Sequence, residues 1–122
     1  MKERIMLVED ELITALDIQR MLERVGYQVS ATPSSGEEAV EKVKSIMPDL
    51  IIMDIFLSDD MDGIEATRRI TADMPNVRVI GLSMYEDTEM SERMREAGAV
   101  DYVPKGGDPA ELVAAVRHAA TS

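Results

Sequence analysis

The chain has 122 residues, a formal net charge of −11, no cysteine and only four aromatic side chains, three Tyr and one Phe. That length fits one domain, residues 1–122, with a hydrophobic core of its own, and the acidity argues against nucleic acid or an anionic membrane as a direct partner. Disulfides, thiolate catalysis and thiolate zinc sites are excluded. No apolar run approaches a membrane span, and the four apolar residues after Lys2-Glu3-Arg4 are too few for a signal peptide, so a cytoplasmic location is expected.

Ile5-Met6-Leu7-Val8 is an unbroken apolar run and reads as a first strand, ending in Glu9-Asp10-Glu11. A helix follows over about Glu11 to Arg24, with Asp10 as a candidate cap and Ile18, Met21, Leu22 and Val25 as its core stripe. Leu12 and Leu16 fall on a different face. Gly26 ends this helix, and Tyr27-Gln28-Val29-Ser30-Ala31 alternates as a weaker second strand. Ser35-Gly36-Glu37-Glu38 is a capping box for a helix with Ala39, Val40, Val43 and Met47 directed inward. Pro48 stops it. Leu50-Ile51-Ile52-Met53 then reads as a strand buried on both faces of a parallel sheet, ending in Asp54.

A loop over Phe56 to Asp62 leads to a helix capped by Asp62, with Ile64, Thr67, Ile70 and Met74 at helical spacing. Val77 to Leu82 is a fourth strand ending at Ser83. A polar helix from about Asp87 to Ala97 stops at Gly98, and Val100 to Val103 is a short fifth strand. Asp108-Pro109-Ala110-Glu111 opens a last helix with Leu112, Val113, Val116 and Ala119 on its apolar side. Five strands alternating with five helices predict an α/β fold, one parallel sheet covered by helices on both faces. The ten methionines are expected to fill the core.

Ligands of open α/β sheets bind at the carboxyl edge of the strands. There the chain offers Glu9 and Asp10, then Asp54, then Ser83, and Lys105 after Val103-Pro104. Carboxylates brought together repel unless a proton or a hard cation neutralises them, and carboxylates with backbone carbonyls suit Mg²⁺. A lysine and a hydroxyl beside an acid can receive phosphoryl oxygens, which makes Asp54 a candidate nucleophile forming an aspartyl phosphate.

Leu7-Val8-Glu9-Asp10-Glu11, Ile52-Met53-Asp54-Ile55, Asp62-Gly63, Leu82-Ser83 and Tyr102-Val103-Pro104-Lys105 together resemble a response-regulator receiver domain of two-component signalling, over essentially the whole chain. The resemblance implies a flavodoxin-like fold, similar to chemotaxis regulators, with a five-stranded sheet in the order 2-1-3-4-5. It implies that Asp54 is the phosphoacceptor and that Asp10, with Glu9 through water, holds Mg²⁺ beside the carbonyl of Phe56. Ser83 and Lys105 would contact the phosphoryl group, and Tyr102 would be an aromatic switch. The partners implied are a sensor histidine kinase or phosphotransfer protein and an output domain or partner protein, with homodimerisation on phosphorylation. The chain would be a self-phosphorylating acceptor with slow autodephosphorylation and no enzyme in its own right. Receivers meet their kinases near the face where Leu12 and Leu16 stand.

Three features depart from the family pattern. The loop from Asp54 to Gly63 lacks the usual proline and is one residue longer. Gly106 follows Lys105 where proline is common, so that bond is expected to be trans or its loop distorted, since a cis bond without proline costs about 2.5–4 kcal/mol. Gly81-Leu82-Ser83-Met84-Tyr85-Glu86-Asp87 is similar to receivers joined to helix-turn-helix domains, pointing to transcription regulation, although these 122 residues hold no such domain.

Plainer readings stand beside these. Taken alone, Glu9 and Asp10 would read as helix cap and solvated loop, Ser83 as a turn residue and Lys105 as a loop lysine, readings that their joint placement beside Asp54 disfavours; Tyr102 serves equally as packing. Asp59 and Asp60 read as solvated loop, and His118 as a partner of a helix C-terminus. A flavodoxin-like cofactor binder would need a Gly/Ser/Thr-rich loop where Glu9-Asp10-Glu11 would repel phosphate. A haloacid-dehalogenase-type hydrolase would need an acid where Phe56 stands. A receiver-shaped module that is never phosphorylated would have no need of Asp54, Ser83 and Lys105 together.

Overall fold

In the computed structural model, residues 3–57, 61–84 and 88–121 are described. The strands are β1 (Arg4–Val8), β2 (Gln28–Ala31), β3 (Leu50–Asp54), β4 (Arg78–Ser83) and β5 (Asp101–Pro104). They alternate with the helices α1 (Leu12–Arg24), α2 (Gly36–Ile46), α3 (Gly63–Asp73), α4 (Thr88–Glu96) and α5 (Pro109–Thr121). All pairings are parallel, and the order is β2-β1-β3-β4-β5.

Strand periodicity sorts the core into two layers, because successive side chains leave opposite faces of a sheet. Met6, Val8, Ile51, Met53 and Val79 meet α2, α3 and α4 through Ala39, Val43, Ile64, Ile70 and Met94. Ile5, Leu7, Leu50, Ile52, Ile80 and Leu82 meet α1 and α5 through Ala15, Leu22, Leu112, Val116 and Ala119. The central β3 is buried at every position, as its unbroken apolar run requires. Among the described residues no helix is long and apolar enough to cross a membrane.

Several local expectations need correction. The N-cap of α1 is Glu11 rather than Asp10, and its side chain makes no capping hydrogen bond. Val25 lies at the end of α1 and is exposed, whereas Ala15, one turn before Gln19, is in the core. Ser35 Oγ accepts from Glu38 N–H as a cap should, but Glu38 reaches back to the N–H of Ser34, one residue further out than the usual partner. Met47 does not face inward. It closes α2 in the left-handed region at φ 54° and is exposed, as is Met84, so the methionines are not all core. The loop around Ser58 to Asp60 and the start proposed for α4 at Asp87 lie outside the described residues, as do Tyr85 and Glu86. No peptide bond among the described residues is cis, and the chain after Lys105 turns through Gly106 at φ 81°, a conformation open to glycine.

Candidate functional site

β1 and β3 are neighbours with Val8 opposite Met53, so the residues that leave these strands, Glu9 and Asp54, emerge side by side. Both are buried, at 2% and 1% exposure. From the far side, β5 pairs with β4 with Pro104 opposite Ser83, and the N–H of Lys105 donates to the carbonyl of Ser83 at 2.5 Å. That anchor turns the lysine back over the strand ends. Its Nζ stands 3.1 Å from Asp54 Oδ2, 2.8 Å from Glu9 Oε1 and 3.5 Å from Glu11 Oε1, with the side chain 10% exposed.

The two contacts with buried acids differ in kind. Nζ donates a hydrogen bond to Asp54, whose Oδ1 also accepts from Phe56 N–H at 3.2 Å. The approach to Glu9 Oε1 is an ion-pair contact without hydrogen-bond alignment, so this buried oxygen has a charge beside it and no donor directed at it. The other Glu9 oxygen accepts from Glu11 N–H at 3.1 Å. Burial pushes the Glu9 carboxyl up to about 7, with the Asp54 charge adding to the push and Lys105 and the Glu11 N–H opposing it. Burial raises Asp54 as well, again against Lys105 and the Phe56 N–H. For Lys105 burial acts downward, but the negative charges of Glu9 and Asp54 beside it win and hold the ammonium above its ordinary range.

Carboxylate oxygens of Glu9, Asp10 and Asp54 lie within 4.8 Å of one another. Three hard oxygen donors this close together could hold a metal ion. Phe56 is half-exposed beside Asp54.

The site rests directly on α3. A Cβ on Gly63 would fall 2.1 Å from the carbonyl oxygen of Asp54 and 2.8 Å from Ile55 Cα, so only glycine lets the helix start against the end of β3. Gly63 N–H donates to the Ile55 carbonyl at 2.9 Å, and Asp62 caps α3 through Glu65 N–H at 2.9 Å. The loop that departs from the family pattern is therefore pinned at both ends.

Asp59 and Asp60 lie outside the described residues, and the other candidates at the sheet edge are placed as follows. Glu9, Asp10, Asp54 and Lys105 converge. Ser83 is fully buried at the end of β4, one residue past Leu82, the cross-strand partner of Asp54. Tyr102 is half-buried on β5 opposite Gly81, its ring packed on the layer that holds Met94. A Cβ on Gly81 would lie 3.5 Å from Tyr102 Cδ2 and 2.8 Å from Met94 Cε, so the glycine makes room for both. Leu12 and Leu16 are exposed, joined by Ile13. The contact of Glu11 with Lys105 was not foreseen. The acidic run was visible, but nothing local ties its third member to a lysine 94 positions on.

The family model for the response regulator receiver domain matches residues 5–117, and this chain belongs to that family. Among its relatives, the response regulator GacA of Pseudomonas viridiflava is 34% identical over 115 residues, which are 93% of this chain and 53% of that protein. The chemotaxis protein CheY of Thermotoga maritima is 32% identical over 95% of this chain and 96% of its own. The chain thus spans about half the length of the GacA, VraR and UvrY regulators it matches and nearly all of CheY. Among solved structures, a two-component response regulator of the LuxR family from Aurantimonas sp. SI85-9A1 superposes with a TM-score of 0.92 at 37% identity, covering 97% of this chain and 84% of that one.

Proposed function

We propose that this receiver is a phosphorylation switch in which Asp54 accepts a phosphoryl group from a histidine kinase, a phosphotransfer protein or acetyl phosphate. The observation that carries the reading is the buried Asp54 carboxylate held between Lys105 Nζ and the Phe56 N–H, with Glu9 and Asp10 beside it. An Asp54 oxygen attacks phosphorus while the bond from phosphorus to the donor nitrogen or oxygen breaks. The electron pair leaves with the histidine, which takes up a proton, or with acetate. Lys105 is already at Asp54 and moves its charge to the new phosphoryl oxygens. Glu9, Asp10, Asp54 and the Phe56 carbonyl would hold Mg²⁺, which supplies positive charge for the phosphoryl oxygens when bound. Ser83 completes the set of donors. Water slowly hydrolyses the acyl phosphate, releasing inorganic phosphate and returning the switch to its resting state.

Phosphorylation adds close to two negative charges at Asp54. Drawing Ser83 toward them vacates space at the end of β4, and Tyr102, across Gly81, is the side chain placed to turn into it. The α4-β5-α5 face then differs between the two states, and a partner or output domain that distinguishes them shifts their populations. Homodimerisation through that face is one such readout. The surroundings are cytoplasmic, and the acidic surface leaves nucleic-acid contact to whatever the switch controls.

Intact-mass measurement with acetyl phosphate and Mg²⁺ should show a single added phosphoryl group. Asp54→Asn and EDTA should each abolish it, and labelling that persists in either sinks the assignment. With beryllofluoride as phosphoryl mimic, Tyr102→Ala should keep the NMR shifts near Asp54 and lose those on α4 and α5; survival of the distant shifts would reduce Tyr102 to packing.

A further inference from the structure

Glu11 is the N-cap of α1, with φ −92° and ψ 116°, yet its carboxylate caps nothing. An N-cap acid ordinarily accepts from the second or third helical N–H. Here Oε1 instead stands 3.5 Å from Lys105 Nζ, and the N–H of Glu11 donates to Glu9 Oε2. The Glu11 side chain is 64% exposed and that of Lys105 10%, so the carboxylate covers the ammonium from the solvent side. Glu9 and Asp54 hold the same ammonium from within. A long, solvated ion pair of this kind contributes little to stability and is easily displaced.

We propose that Glu11 is a charge gate over Lys105 that selects among phosphoryl donors. This rests on the reading of Asp54 as acceptor. A donor bringing phosphoryl oxygens to Asp54 must take Lys105 from Glu11 and bring its own negative charge up to an exposed carboxylate. Small free acyl phosphates carry that repulsion uncompensated. A phosphoryl group presented on a protein surface with its own basic side chains does not, because those cations pair with Glu11 as it lets go. Glu11 touches Lys105 and is therefore a positioning residue for the transfer, setting how readily the lysine is released.

The test measures initial rates of Asp54 labelling by acetyl phosphate at saturating Mg²⁺ in the wild type and in Glu11→Gln, Glu11→Lys and Glu11→Asp. Removing one unit charge a few ångströms from the incoming anion should accelerate labelling about three- to tenfold in Glu11→Gln, and Glu11→Lys should exceed it. Glu11→Asp, which keeps the charge, should stay close to wild type. The wild-type rate should rise with ionic strength as the repulsion is screened, and the slope should flatten in Glu11→Gln. Beryllofluoride affinity, which needs no transfer, should increase in the same order. Unchanged rates in the Gln and Lys variants overturn the gate. Slower rates overturn it too, by showing that Glu11 holds Lys105 productively. A wild type that takes no label on Asp54 overturns the acceptor reading itself, and the gate with it.

Discussion

The two ends of this sheet use carboxylates in opposite ways. At the amino end, Asp49 is exposed, and its Oδ2 accepts from Arg4 N–H at 2.9 Å. Its backbone N–H donates to the Arg4 carbonyl, and its carbonyl accepts from Arg78 N–H, so one residue ties the openings of β1, β3 and β4 together. At the carboxyl end, five residues along the same strand, Asp54 is buried against a second buried acid and a single lysine. A solvated carboxylate that answers a backbone donor stabilises without reacting. A buried one that shares its only cation costs stability and remains ready to bind a metal or attack phosphorus. The fold is held at one end and poised at the other.

The largest expected break in that contrast comes from Lys105→Ala. It leaves Glu9 and Asp54 buried without their cation, and loss of one partner of a buried pair costs about 3 kcal/mol or more. The loss should be smaller in mild acid. Burial already raises Glu9 from 4.5 in the unfolded chain to about 7 in the fold, so the folded state holds the extra proton between those values. The contribution of Glu9 is therefore fully present below pH 4.5 and is lost as pH rises through 7. Urea unfolding at pH 5.5 and pH 8 should show the greater deficit at pH 8. Equal deficits would mean that Glu9 and Asp54 do not sense each other through Lys105.

The poised end is also where the sequence was least complete. Strand and helix order followed from apolar runs and caps, since Leu50 to Met53 or Asp62-Gly63 state their role within a few residues. Convergence of Glu9, Asp10, Asp54 and Lys105 came from topology, because parallel strands deliver all their ends to one edge. Within elements, periodicity erred where a helix stops: Val25 and Met47 continue the apolar stripe in sequence, but the helix ends at or before them and their side chains turn to solvent. Gly63 stands out in sequence only beside Asp62, whereas its steric reason, the approach to Asp54 O, is a contact between elements. The Glu11–Lys105 contact depends on a side chain leaving its own helix cap, which no local propensity records.

A middle-sized effect should follow from the ligand that the poised end accepts. Mg²⁺ at about a hundred times its dissociation constant adds roughly 2.7 kcal/mol to a fold that binds it alone, enough to raise the melting temperature by several degrees. Because Glu9 is drawn toward the protonated form near pH 5.5, the rise should shrink there. Asp54→Asn should stabilise the metal-free protein by about 1 kcal/mol, since one buried charge is gone while Lys105 keeps Glu9, and should reduce the Mg²⁺ shift. Differential scanning calorimetry at low ionic strength reads both. A metal-free Asn variant less stable than wild type would show that Lys105 fully offsets the burial of Asp54.

The smallest effect belongs to the other end. Asp49→Ala removes the acceptor for Arg4 N–H but leaves the two backbone bonds of residue 49 in place. The freed N–H is exposed and returns to water, so the loss should be near 1 kcal/mol, the net value of one hydrogen bond. Asp49→Asn, which keeps an oxygen in place, should recover most of it. Asp49 and Asp54 are about 17 Å apart along β3, roughly twice the distance over which physiological salt screens exposed charges. The change should therefore be the same with and without Mg²⁺, and labelling of Asp54 by acetyl phosphate should keep its wild-type rate. Urea unfolding of the two variants with and without the metal decides this. A Mg²⁺ shift that changes in Asp49→Ala would mean that β3 transmits strain from its anchored end to its reactive one, and the two ends would then be a single coupled element.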